Sequence, residues 1–299
     1  MPTETEPPAW TILSVLRWTT AYFTDRRIDS PRTTAELLLA HALGVAKIDL
    51  YLRFDQPLLP EELAGYKALI RRRTAGEPTA YILGVRSFWN QDLRVTPDVL
   101  IPRPETEHLV EAALELLPSC GESGRRCRVL DLGTGSGAVV VALAAEAGGH
   151  LFFAADRSPQ ALAVARENAR RHLQETRVHF FGSHWFQALG KGRAAFDLVV
   201  CNPPYIPTAD IGALPPEIRR HEPRGALDGG PDGLADIREV VARAPAHLAP
   251  GGWLLLEIGA GQHTAVADIV RRAGRYTDPV FIRDYSGHRR VLKVAAAGS

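Results

Sequence analysis

The sequence predicts an α/β protein in which a doubly wound, mostly parallel sheet of seven strands follows a small N-terminal helical domain. Three observations lead to this prediction. From residue 128 onward, short apolar runs alternate with segments whose apolar residues recur at helical spacing. A glycine-rich turn joins the first apolar run to the first of these helical segments. Before residue 80, the apolar residues recur at helical spacing alone.

Three helices are predicted in the N-terminal domain, which we expect to extend over residues 1–78. Apolar residues recur every three or four positions over 10–23, 33–43 and 60–75. Pro31 and Pro60 are expected in the first turns of the second and third helices, where a missing N–H costs no hydrogen bond. Residues 1–9 are rich in proline and glutamate, and we expect them to be frayed.

A β-hairpin is predicted to link the two domains over residues 79–101, because apolar and polar side chains alternate near its end. The segment 100–107 (LIPRPETE) follows, and its two prolines predict an extended turn before a helix. Glu105 and Glu107 fall in the first turn of that helix, where negative charge is favoured. Arg103 is either a buried anchor or a site residue, and the sequence leaves both alternatives open.

The C-terminal domain, expected over residues 102–299, contains the predicted sheet. Strands are predicted at 128–132, 150–155, 177–181, 196–200, 252–257, 280–283 and 290–294. Helices are predicted between most of them, at 137–147, 158–172, 233–247 and 262–273. Residues 284–288 alone separate the last two strands, too few for a helical crossover, so these strands are predicted to pair antiparallel.

Polar residues mark the ends of several predicted strands. Ligands in doubly wound sheets bind beyond the carboxyl ends of the strands. A site is therefore predicted at this edge of the sheet, where four residues should meet: Asp131, Asp156, Ser183 and Asn202.

The glycine-rich turn after the first strand predicts a ligand that lies close to the backbone. Glycine allows positive φ angles and close approach, and the start of the following helix offers N–H groups. Asp156, at the end of the next strand, can accept hydrogen bonds from ribose hydroxyls. The turn is expected to contact the ligand through five residues: Gly133, Thr134, Gly135, Ser136 and Gly137.

Two ligands are compatible with this turn. Gly133, Gly135 and Ala138 satisfy the dinucleotide fingerprint, so a nicotinamide or flavin nucleotide is one alternative. Asp131 precedes the first glycine by two residues, and its carboxylate suits a cationic amino acid moiety better than a pyrophosphate. S-adenosylmethionine combines an adenosine ribose, a charged methionine tail and a sulfonium methyl group. We therefore predict S-adenosylmethionine as the cofactor.

The tetrapeptide Asn202-Pro203-Pro204-Tyr205 follows a buried apolar run at 196–201 and predicts binding of a planar –NH2 group. Two prolines make the backbone rigid and remove two N–H donors. The asparagine oxygen and a free carbonyl then present two acceptors side by side, next to an aromatic ring. The alternative is a proline-rich exit from a strand, which would explain Asn-Pro alone better than all four residues together.

Composition excludes several classes of protein. The chain has 299 residues, with 35 lysines and arginines against 34 acidic residues, a balance that argues against a broad nucleic-acid-binding face. Its three cysteines form no CxxC pair, so we expect reduced thiols and no metal site. The sequence contains no apolar run of membrane-spanning length and no signal-peptide core. We expect a cytoplasmic monomer.

Several motifs together resemble the protein-(glutamine-N5) methyltransferases that modify bacterial peptide chain release factors. The pairing of LIPRPETE with the Asn-Pro-Pro-Tyr tetrapeptide is specific, whereas the tetrapeptide alone is shared with several amino-group methyltransferases. The matching segments are 81–84 (YILG), 88–89 (FW), 100–107 (LIPRPETE), 129–137 (VLDLGTGSG), 156–158 (DRS), 183–186 (SHWF), 201–206 (CNPPYI), 222–223 (EP), 257–259 (EIG) with Gln262, and 284–290 (DYSGHRR).

The resemblance implies a Rossmann-like class I methyltransferase domain that uses S-adenosyl-L-methionine, with class 1 peptide chain release factors as substrates. Residues 133–137 would line the cofactor, Asp156 would bind its ribose and Trp185 would lie near the adenine. Trp185 could instead cap the sheet edge. The tetrapeptide Asn202, Pro203, Pro204 and Tyr205 would hold the glutamine of the Gly-Gly-Gln motif for methylation at N5. The helical domain would grip the protein substrate.

Other functions stay open at this stage. A glutamine methyltransferase of a ribosomal protein would share the whole catalytic block. A methyltransferase of exocyclic amines in nucleic acid would use the same tetrapeptide, but it would need a basic groove to hold a flipped base. The balanced charge and the short insertion at 206–232 argue against that function and against direct contact with nucleic acid. A non-catalytic binding protein is disfavoured because both halves of the site are intact.

Overall fold

The chain separates into two compact units, one ending at Gly84 and the other beginning at Val85. The structure, a computed structural model, describes residues 10–120, 125–174, 178–190 and 196–297, and of residues 118–120 the backbone alone. The predicted fraying of residues 1–9 and the side chain of Cys120 lie outside the described residues. The domain boundaries expected at residues 78 and 101 stay predictions.

The first unit is helical, and its three long helices confirm the sequence prediction to within three residues at each end. Phe23, Leu38 and Tyr66 are fully buried in its core, and the Tyr66 hydroxyl donates to the carbonyl of Ala35 at 3.1 Å. Two short helices were not predicted. Residues 10–84 of this unit form five helices: α1 (Ile12–Asp25), α2 (Pro31–Leu43), α3 (Asp49–Leu52), α4 (Pro60–Thr74) and α5 (Thr79–Leu83).

The ends of these helices follow from local residues. Thr11 and Ser14 form a reciprocal capping box at the start of α1, which gives the first N–H groups their partners. Helices α2 and α4 begin at Pro31 and Pro60, as predicted. Gly44 has a φ angle of 64° and ends α2 in a left-handed conformation.

The predicted hairpin at 79–101 is wrong for its first residues. Thr79–Leu83 form α5, because Pro78 starts a helical turn and Ile82 packs into the core of the first unit. Gly84, with a φ angle of 70°, ends that helix. The hairpin occupies the middle of the range, with β1 (Val85–Phe88) antiparallel to β2 (Gln91–Arg94).

The second unit contains a seven-stranded sheet whose strand order is β5-β4-β3-β6-β7-β9-β8. The first five strands are parallel, and β9 is antiparallel to both of its neighbours, as predicted for the last two strands. All seven predicted strands are present: β3 (Arg128–Leu132), β4 (Leu151–Asp156), β5 (Val178–Gly182), β6 (Phe196–Cys201), β7 (Leu248–Glu257), β8 (Val280–Arg283) and β9 (Arg289–Ala295).

Helices cover both faces of this sheet. The predicted helix at 233–247 is too long, because Pro245 has no N–H to continue it and a 3-10 turn (Ala244–Ala246) replaces its last turn. The short helix α9 was not predicted. The helices of the second unit are α6 (Glu107–Cys120), α7 (Ala138–Glu146), α8 (Pro159–His172), α9 (Pro216–His221), α10 (Ala235–Arg243) and α11 (His263–Ala273).

The strand order determines where a ligand-binding crevice can form in this sheet. The chain runs outward from β3 through β4 to β5 and then returns to the other side of β3 as β6. Such a reversal opens a crevice beyond the carboxyl ends of the two neighbouring strands, β3 and β6. Strand β6 is buried along its whole length, so the residues that follow it are held by a rigid core. In the described ranges, no helix has the length and apolar character that a membrane crossing requires.

Candidate active site

A cavity of about 250 Å³ lies beyond the carboxyl ends of β3, β4 and β6. The four residues expected to meet at this edge, namely Asp131, Asp156, Ser183 and Asn202, all line it. Of the other residues expected at the site, Gly133, Thr134, Gly135, Ser136, Trp185 and Pro204 also line it. Gly137, Pro203 and Tyr205 are not among its lining residues.

The three glycines of the turn after β3 all have positive φ angles, but they serve different purposes. A Cβ atom on Gly133 would lie 3.3 Å from the Trp185 ring, so this glycine leaves room at the cavity wall. A Cβ atom on Gly137 would lie 3.1 Å from the Cβ of Ala165 in α8. Gly137 therefore allows α7 to pack closely on α8, which is why this residue does not line the cavity.

The backbone of this turn is fixed by neighbouring strand β4. The N–H groups of Gly133 and Thr134 donate to the carbonyl of Ala155, at 2.8 and 3.0 Å. The N–H of Gly135 donates to Asp156 Oδ2 at 2.9 Å. These three donors are therefore occupied within the protein, and a ligand must use other groups of the turn.

Asp131 is a buried carboxyl group in the cavity wall. Its Oδ2 accepts a hydrogen bond from the Thr134 hydroxyl at 2.7 Å, and 2 % of its surface is exposed. Burial raises the pKa of Asp131 to about 7, the hydrogen bonds from Thr134 and from the N–H of Val140 lower it, and the charge of Asp156 adds to the rise. A cation bound beside this carboxyl group would favour its ionised form.

Asp156 and Trp185 also line the cavity. Asp156 accepts two backbone hydrogen bonds, one from Gly135 to Oδ2 and one from Ser158 to Oδ1 at 2.9 Å, which fix its carboxylate. Trp185 is 8 % exposed and has a φ angle of 47°, a conformation that few non-glycine residues adopt. Its indole N–H donates to Asp236 Oδ1 at 3.1 Å, which holds the ring against Gly133.

The Asn202 side chain is oriented by a residue far away in sequence. Its Nδ2 donates to the hydroxyl of Thr106 at 3.2 Å, and Thr106 is buried in the 3-10 turn before α6. The amide nitrogen is thus engaged within the protein, and Oδ1 remains for a ligand. Asn202 lines the cavity described above and also a second cavity of about 190 Å³.

Tyr205 lines this second cavity with Asn202 and Arg103. Its hydroxyl donates to Glu257 Oε1 at 3.3 Å, and burial together with the nearby Glu257 raises the pKa of Tyr205 above its usual value. Pro203 is buried, whereas Pro204 lines the first cavity. Asn202 therefore lines both cavities, Pro204 lines the first, Tyr205 lines the second, and Pro203 lines neither.

The segment 206–233 folds back on the tetrapeptide. The N–H of Ile206 donates to the carbonyl of Leu227 at 3.0 Å, and the N–H of Gly229 returns to the carbonyl of Ile206 at 2.9 Å. Gln262 donates from Nε2 to the carbonyls of Tyr205 and Gly233, at 2.9 and 3.2 Å. A Cβ atom on Gly233 would lie 2.4 Å from the Tyr205 oxygen, so only glycine allows this packing.

Arg103 is both an anchor and a lining residue, which answers the question that the sequence left open. Its Nη2 forms an ion pair of 2.5 Å with Glu222, whose side chain is 1 % exposed. Glu222 also accepts the N–H of Ile101 at 3.2 Å, so the LIPRPETE segment is tied to the segment 206–233. The Arg103 side chain, 29 % exposed, lines both cavities.

Glu257 lies at the end of β7 with 1 % of its surface exposed. Burial raises its pKa to about 7, and the Thr106 hydroxyl, the charge of Arg290 and the Tyr205 hydroxyl act in the opposite direction. Within the described ranges, its Oε2 has no hydrogen-bond partner.

Sequence reasoning missed the residues that support the site. Thr106 stood in a recognised motif but was interpreted as part of a helix start, and no role was predicted for Gln262 or Glu222. Asp236, which lines the cavity and holds Trp185, belongs to no motif. Burial raises the pKa of Asp236, but this burial arises from the packing of α10 and carries no sequence signal.

Comparisons with known proteins agree over nearly the whole chain. Residues 14–84 match the family model described as PrmC N-terminal domain, and residues 123–260 match a model described as methyltransferase domain. The release factor glutamine methyltransferase of Geobacter sulfurreducens is 46% identical over 96% of this chain and 97% of its own length. The protein of the same name in Salmonella typhimurium is 43% identical over 89% of this chain and 92% of its own length.

Solved structures show the same fold at low sequence identity. The hMettl16 catalytic domain in complex with MAT2A 3'UTR hairpin 6 has a TM-score of 0.54 at 15% identity, covering 77% of this chain and 81% of that chain. The N-terminal domain of human METTL16 in complex with SAH has a TM-score of 0.51 at 15% identity, covering 76% and 83%. At this identity the likeness supports the class I methyltransferase fold alone.

Proposed function

We propose, because this chain belongs to the family of release factor glutamine methyltransferases, that it methylates the glutamine of the Gly-Gly-Gln motif in class 1 peptide chain release factors. The methyl group comes from S-adenosyl-L-methionine and is transferred to N5, the side-chain amide nitrogen of the glutamine. One observation carries the proposal: Asn202 stands where two cavities meet, with Nδ2 engaged by Thr106 and Oδ1 left for a substrate.

The larger cavity suits the methyl donor. S-adenosylmethionine supplies an electrophilic methyl group on a sulfonium ion. Gly133 and Gly135 allow the ligand to approach the backbone, and the carboxylate of Asp156, already fixed by two N–H groups, accepts ribose hydroxyls. The Trp185 ring provides an apolar surface for the adenine, and Asp131 lies ready to balance a cationic ammonium group.

The tetrapeptide suits the acceptor amide. Asn202 Oδ1 and the Pro203 carbonyl accept the two amide hydrogens, while Tyr205 packs on the amide plane. These contacts aim the nitrogen at the methyl carbon and favour the positive charge that develops on nitrogen. The N–C bond forms as the C–S bond breaks, sulfur keeps the electron pair, and the amide proton leaves to water afterwards. Tyr205 stays protonated because its pKa is raised, so its role is packing rather than proton transfer.

The first unit is proposed to grip the release factor. Its described surface exposes several large apolar side chains, which is typical of a protein-binding face. They are Trp18, Ile48, Tyr51, Leu52, Phe54 and Leu59. The substrate belongs to the translation machinery, so we place the enzyme in the cytoplasm, acting as a monomer that contacts the release factor and not nucleic acid.

The test is transfer of labelled methyl from S-adenosylmethionine to a purified class 1 release factor, beside a variant whose Gly-Gly-Gln glutamine is alanine. Label on the natural release factor and none on the variant would support both the reaction and its target. Equal label on both would contradict the target residue. With cofactor binding established separately, no label on either would redirect the search to ribosomal proteins.

A further inference from the structure

Asn168 joins two parts of the wall of the larger cavity and is not itself among the lining residues. It lies in α8 and is fully buried. Its amide makes three hydrogen bonds, all of them with backbone groups. Oδ1 accepts from the N–H of Arg94 at 2.7 Å, and Nδ2 donates to the carbonyl of Arg94 at 3.0 Å and to that of Ser136 at 2.8 Å. One side chain therefore connects two segments that are distant in sequence.

These three partners fix the orientation of the Asn168 amide. A backbone N–H can only donate and a carbonyl can only accept, so a half-turn of the amide would break all three hydrogen bonds. Both protons of Nδ2 are engaged. Disturbing the amide is costly, because each buried group would lose its partner without gaining water. Asn168 is therefore a rigid link between Arg94 and Ser136.

On one side, Asn168 holds the start of the segment that leads to Thr106. Arg94 is the last residue of β2, and the Asn168 amide pairs with both its N–H and its carbonyl, as a peptide group of a third strand would do. The chain continues through Val95, which is buried. It then forms one wall of the larger cavity, with lining residues Asp98, Val99, Leu100, Pro102, Arg103 and Thr106.

On the other side, Asn168 holds the end of the glycine-rich turn. The first three residues of this turn are fixed by β4, through the carbonyl of Ala155 and the carboxylate of Asp156. Ser136 comes next, lines the cavity and is 3 % exposed, and its carbonyl accepts from Asn168. The contact of α8 with Gly137 is one turn away, at Ala165. Helix α8 thus supports the part of the turn that β4 does not hold.

We propose that Asn168 is a positioning residue that sets the separation between two walls of the larger cavity, the turn 133–136 and the segment 98–106. It acts through the carbonyl of Ser136 and the backbone of Arg94, without contact with the ligand. The inference rests on the proposed cofactor site in this cavity, but it does not depend on which molecule accepts the methyl group.

His172 provides a matched control, because it holds the same hairpin but not the turn. It lies one helical turn after Asn168 in α8, and its Nε2 donates to the carbonyl of Asp92 in β2 at 2.9 Å. Asn168→Leu and His172→Leu each remove a polar contact between α8 and the hairpin and introduce the same side chain. Asn168→Leu alone also removes the contact with Ser136.

The affinity for S-adenosylhomocysteine, measured by calorimetry, should separate the two variants. In Asn168→Leu we expect Kd to rise about tenfold, the effect of losing one buried hydrogen bond that supports the binding-competent turn. In His172→Leu, Kd should match that of the wild type. A merely structural role would lower Tm in Asn168→Leu and leave Kd of the folded protein unchanged, and that result would overturn the proposal. An equal rise of Kd in both variants would also overturn it.

Steady-state kinetics should show the same separation between binding and chemistry. In Asn168→Leu we expect KM for S-adenosylmethionine to rise about tenfold, in line with Kd. The value of kcat at saturating methyl donor should change far less, because Asn202 keeps its contact with Thr106. A fall of kcat at unchanged KM would contradict the proposed role. If the wild type methylates no release factor, the proposed substrate fails, while Kd for S-adenosylhomocysteine still decides the role of Asn168.

Two further measurements locate the effect in the chain. Hydrogen exchange of residues 133–136 should be faster in Asn168→Leu than in His172→Leu, because the turn loses a support in the first variant alone. In the wild type, ¹H–¹⁵N NMR should show both protons of the Asn168 side-chain amide protected from exchange, and S-adenosylhomocysteine should shift their resonances through Ser136. Unprotected protons, or resonances that the ligand leaves unmoved, would overturn the proposal even if Asn168→Leu does not fold.

Discussion

Single side chains determine which hydrogen-bonding groups are available where the two cavities meet. Asn202 has an acceptor and a donor on one amide, and the contact with Thr106 uses the donor. The remaining acceptor is the atom that an amide substrate needs. The two prolines that follow have fixed φ angles, so the backbone after Asn202 is rigid.

Removing the Asn202 amide should therefore affect catalysis more than cofactor binding. In Asn202→Ala we expect kcat to fall by about 10²-fold, the usual effect of losing one group that stabilises developing charge. The affinity for S-adenosylhomocysteine, measured by calorimetry, should change far less. Unchanged turnover would contradict the role of Asn202.

The buried carboxyl group of Asp131 leads to a prediction about how the affinity for S-adenosylmethionine depends on pH. Its pKa of about 7 in the folded protein means that this carboxyl is largely neutral below pH 7 and ionised above it. A cationic ligand prefers the ionised form, so affinity for S-adenosylmethionine should rise by about tenfold between pH 6 and pH 8. Calorimetry at the two pH values measures this change. In Asp131→Asn the affinity should be lower and independent of pH, and a persistent pH dependence would assign the effect to another group.

Asp131 also makes the stability of the folded protein depend on pH. This stability falls as pH rises, whereas the affinity for S-adenosylmethionine is expected to rise. Without a ligand, folding raises the pKa of Asp131 from its ordinary value of 3.8, so the folded protein holds a proton that the unfolded chain has released. The stability contributed by this proton is present at low pH and is lost as pH rises through the folded pKa of about 7.

Neighbouring elements of the fold hold the tetrapeptide 202–205 in place by contacts with its backbone. The exit from β6 is covered by the segment 206–233, and Gln262 at the start of α11 ties the two together. Gly229 and Gly233 permit this packing, since a Cβ atom on either would lie within 3 Å of backbone atoms of the tetrapeptide.

Gly233→Ala should therefore displace the substrate side of the site. The new Cβ would lie 2.4 Å from the Tyr205 carbonyl, and the φ angle of 72° is itself unfavourable for alanine. We expect kcat to fall by about tenfold or more, because a shift of about an ångström disturbs in-line attack. Cofactor affinity should be retained.

Gly212→Ala provides the matched control for this prediction. Gly212 lies in the same segment, has no positive φ angle, and its added Cβ would meet nothing within 4 Å. Its kcat should match that of the wild type. An equal loss in both variants would mean that the whole segment, and not the Tyr205 contact, responds to substitution.

The whole molecule combines a catalytic unit with a helical unit whose described surface exposes several large apolar side chains. Among the residues that the structure describes, most of the large exposed apolar side chains belong to the first unit, although it is the smaller of the two. Leu52 is 72 % exposed and Phe54 is 51 % exposed, so neither contributes much to folding. We propose these residues as part of the surface that docks the protein substrate.

Substitution of these residues should weaken recognition and leave chemistry intact. In Leu52→Ser combined with Phe54→Ser, KM for the release factor should rise about tenfold, since each buried apolar side chain contributes roughly 1 kcal/mol or more to binding. The value of kcat should stay unchanged. Val280→Ser, at an exposed position of β8, should change neither constant. An unchanged KM in the double variant would place the docking surface elsewhere.

The sequence alone determined much of this architecture, because strands, helices and turns follow from local patterns. The alternation after residue 128 predicted all seven strands, and the short connection at 284–288 predicted the antiparallel end of the sheet. Local rules failed at two element ends. Residues 79–83 form a helix because Ile82 packs into the N-terminal core, and Pro245 shortens α10.

Tertiary structure decided how the site is supported. The contact of Asn202 with Thr106 spans 96 positions, and the pair of Arg103 with Glu222 spans 119. No spacing or composition predicts such contacts, because they join segments that only the folded chain brings together. Arg103 and Thr106 lie at the 3-10 turn before α6, whereas Asn202 follows β6 and Glu222 follows α9. The raised pKa values of Asp131 and Glu257 have the same origin, since burial by distant elements removes the water that would otherwise stabilise their charge.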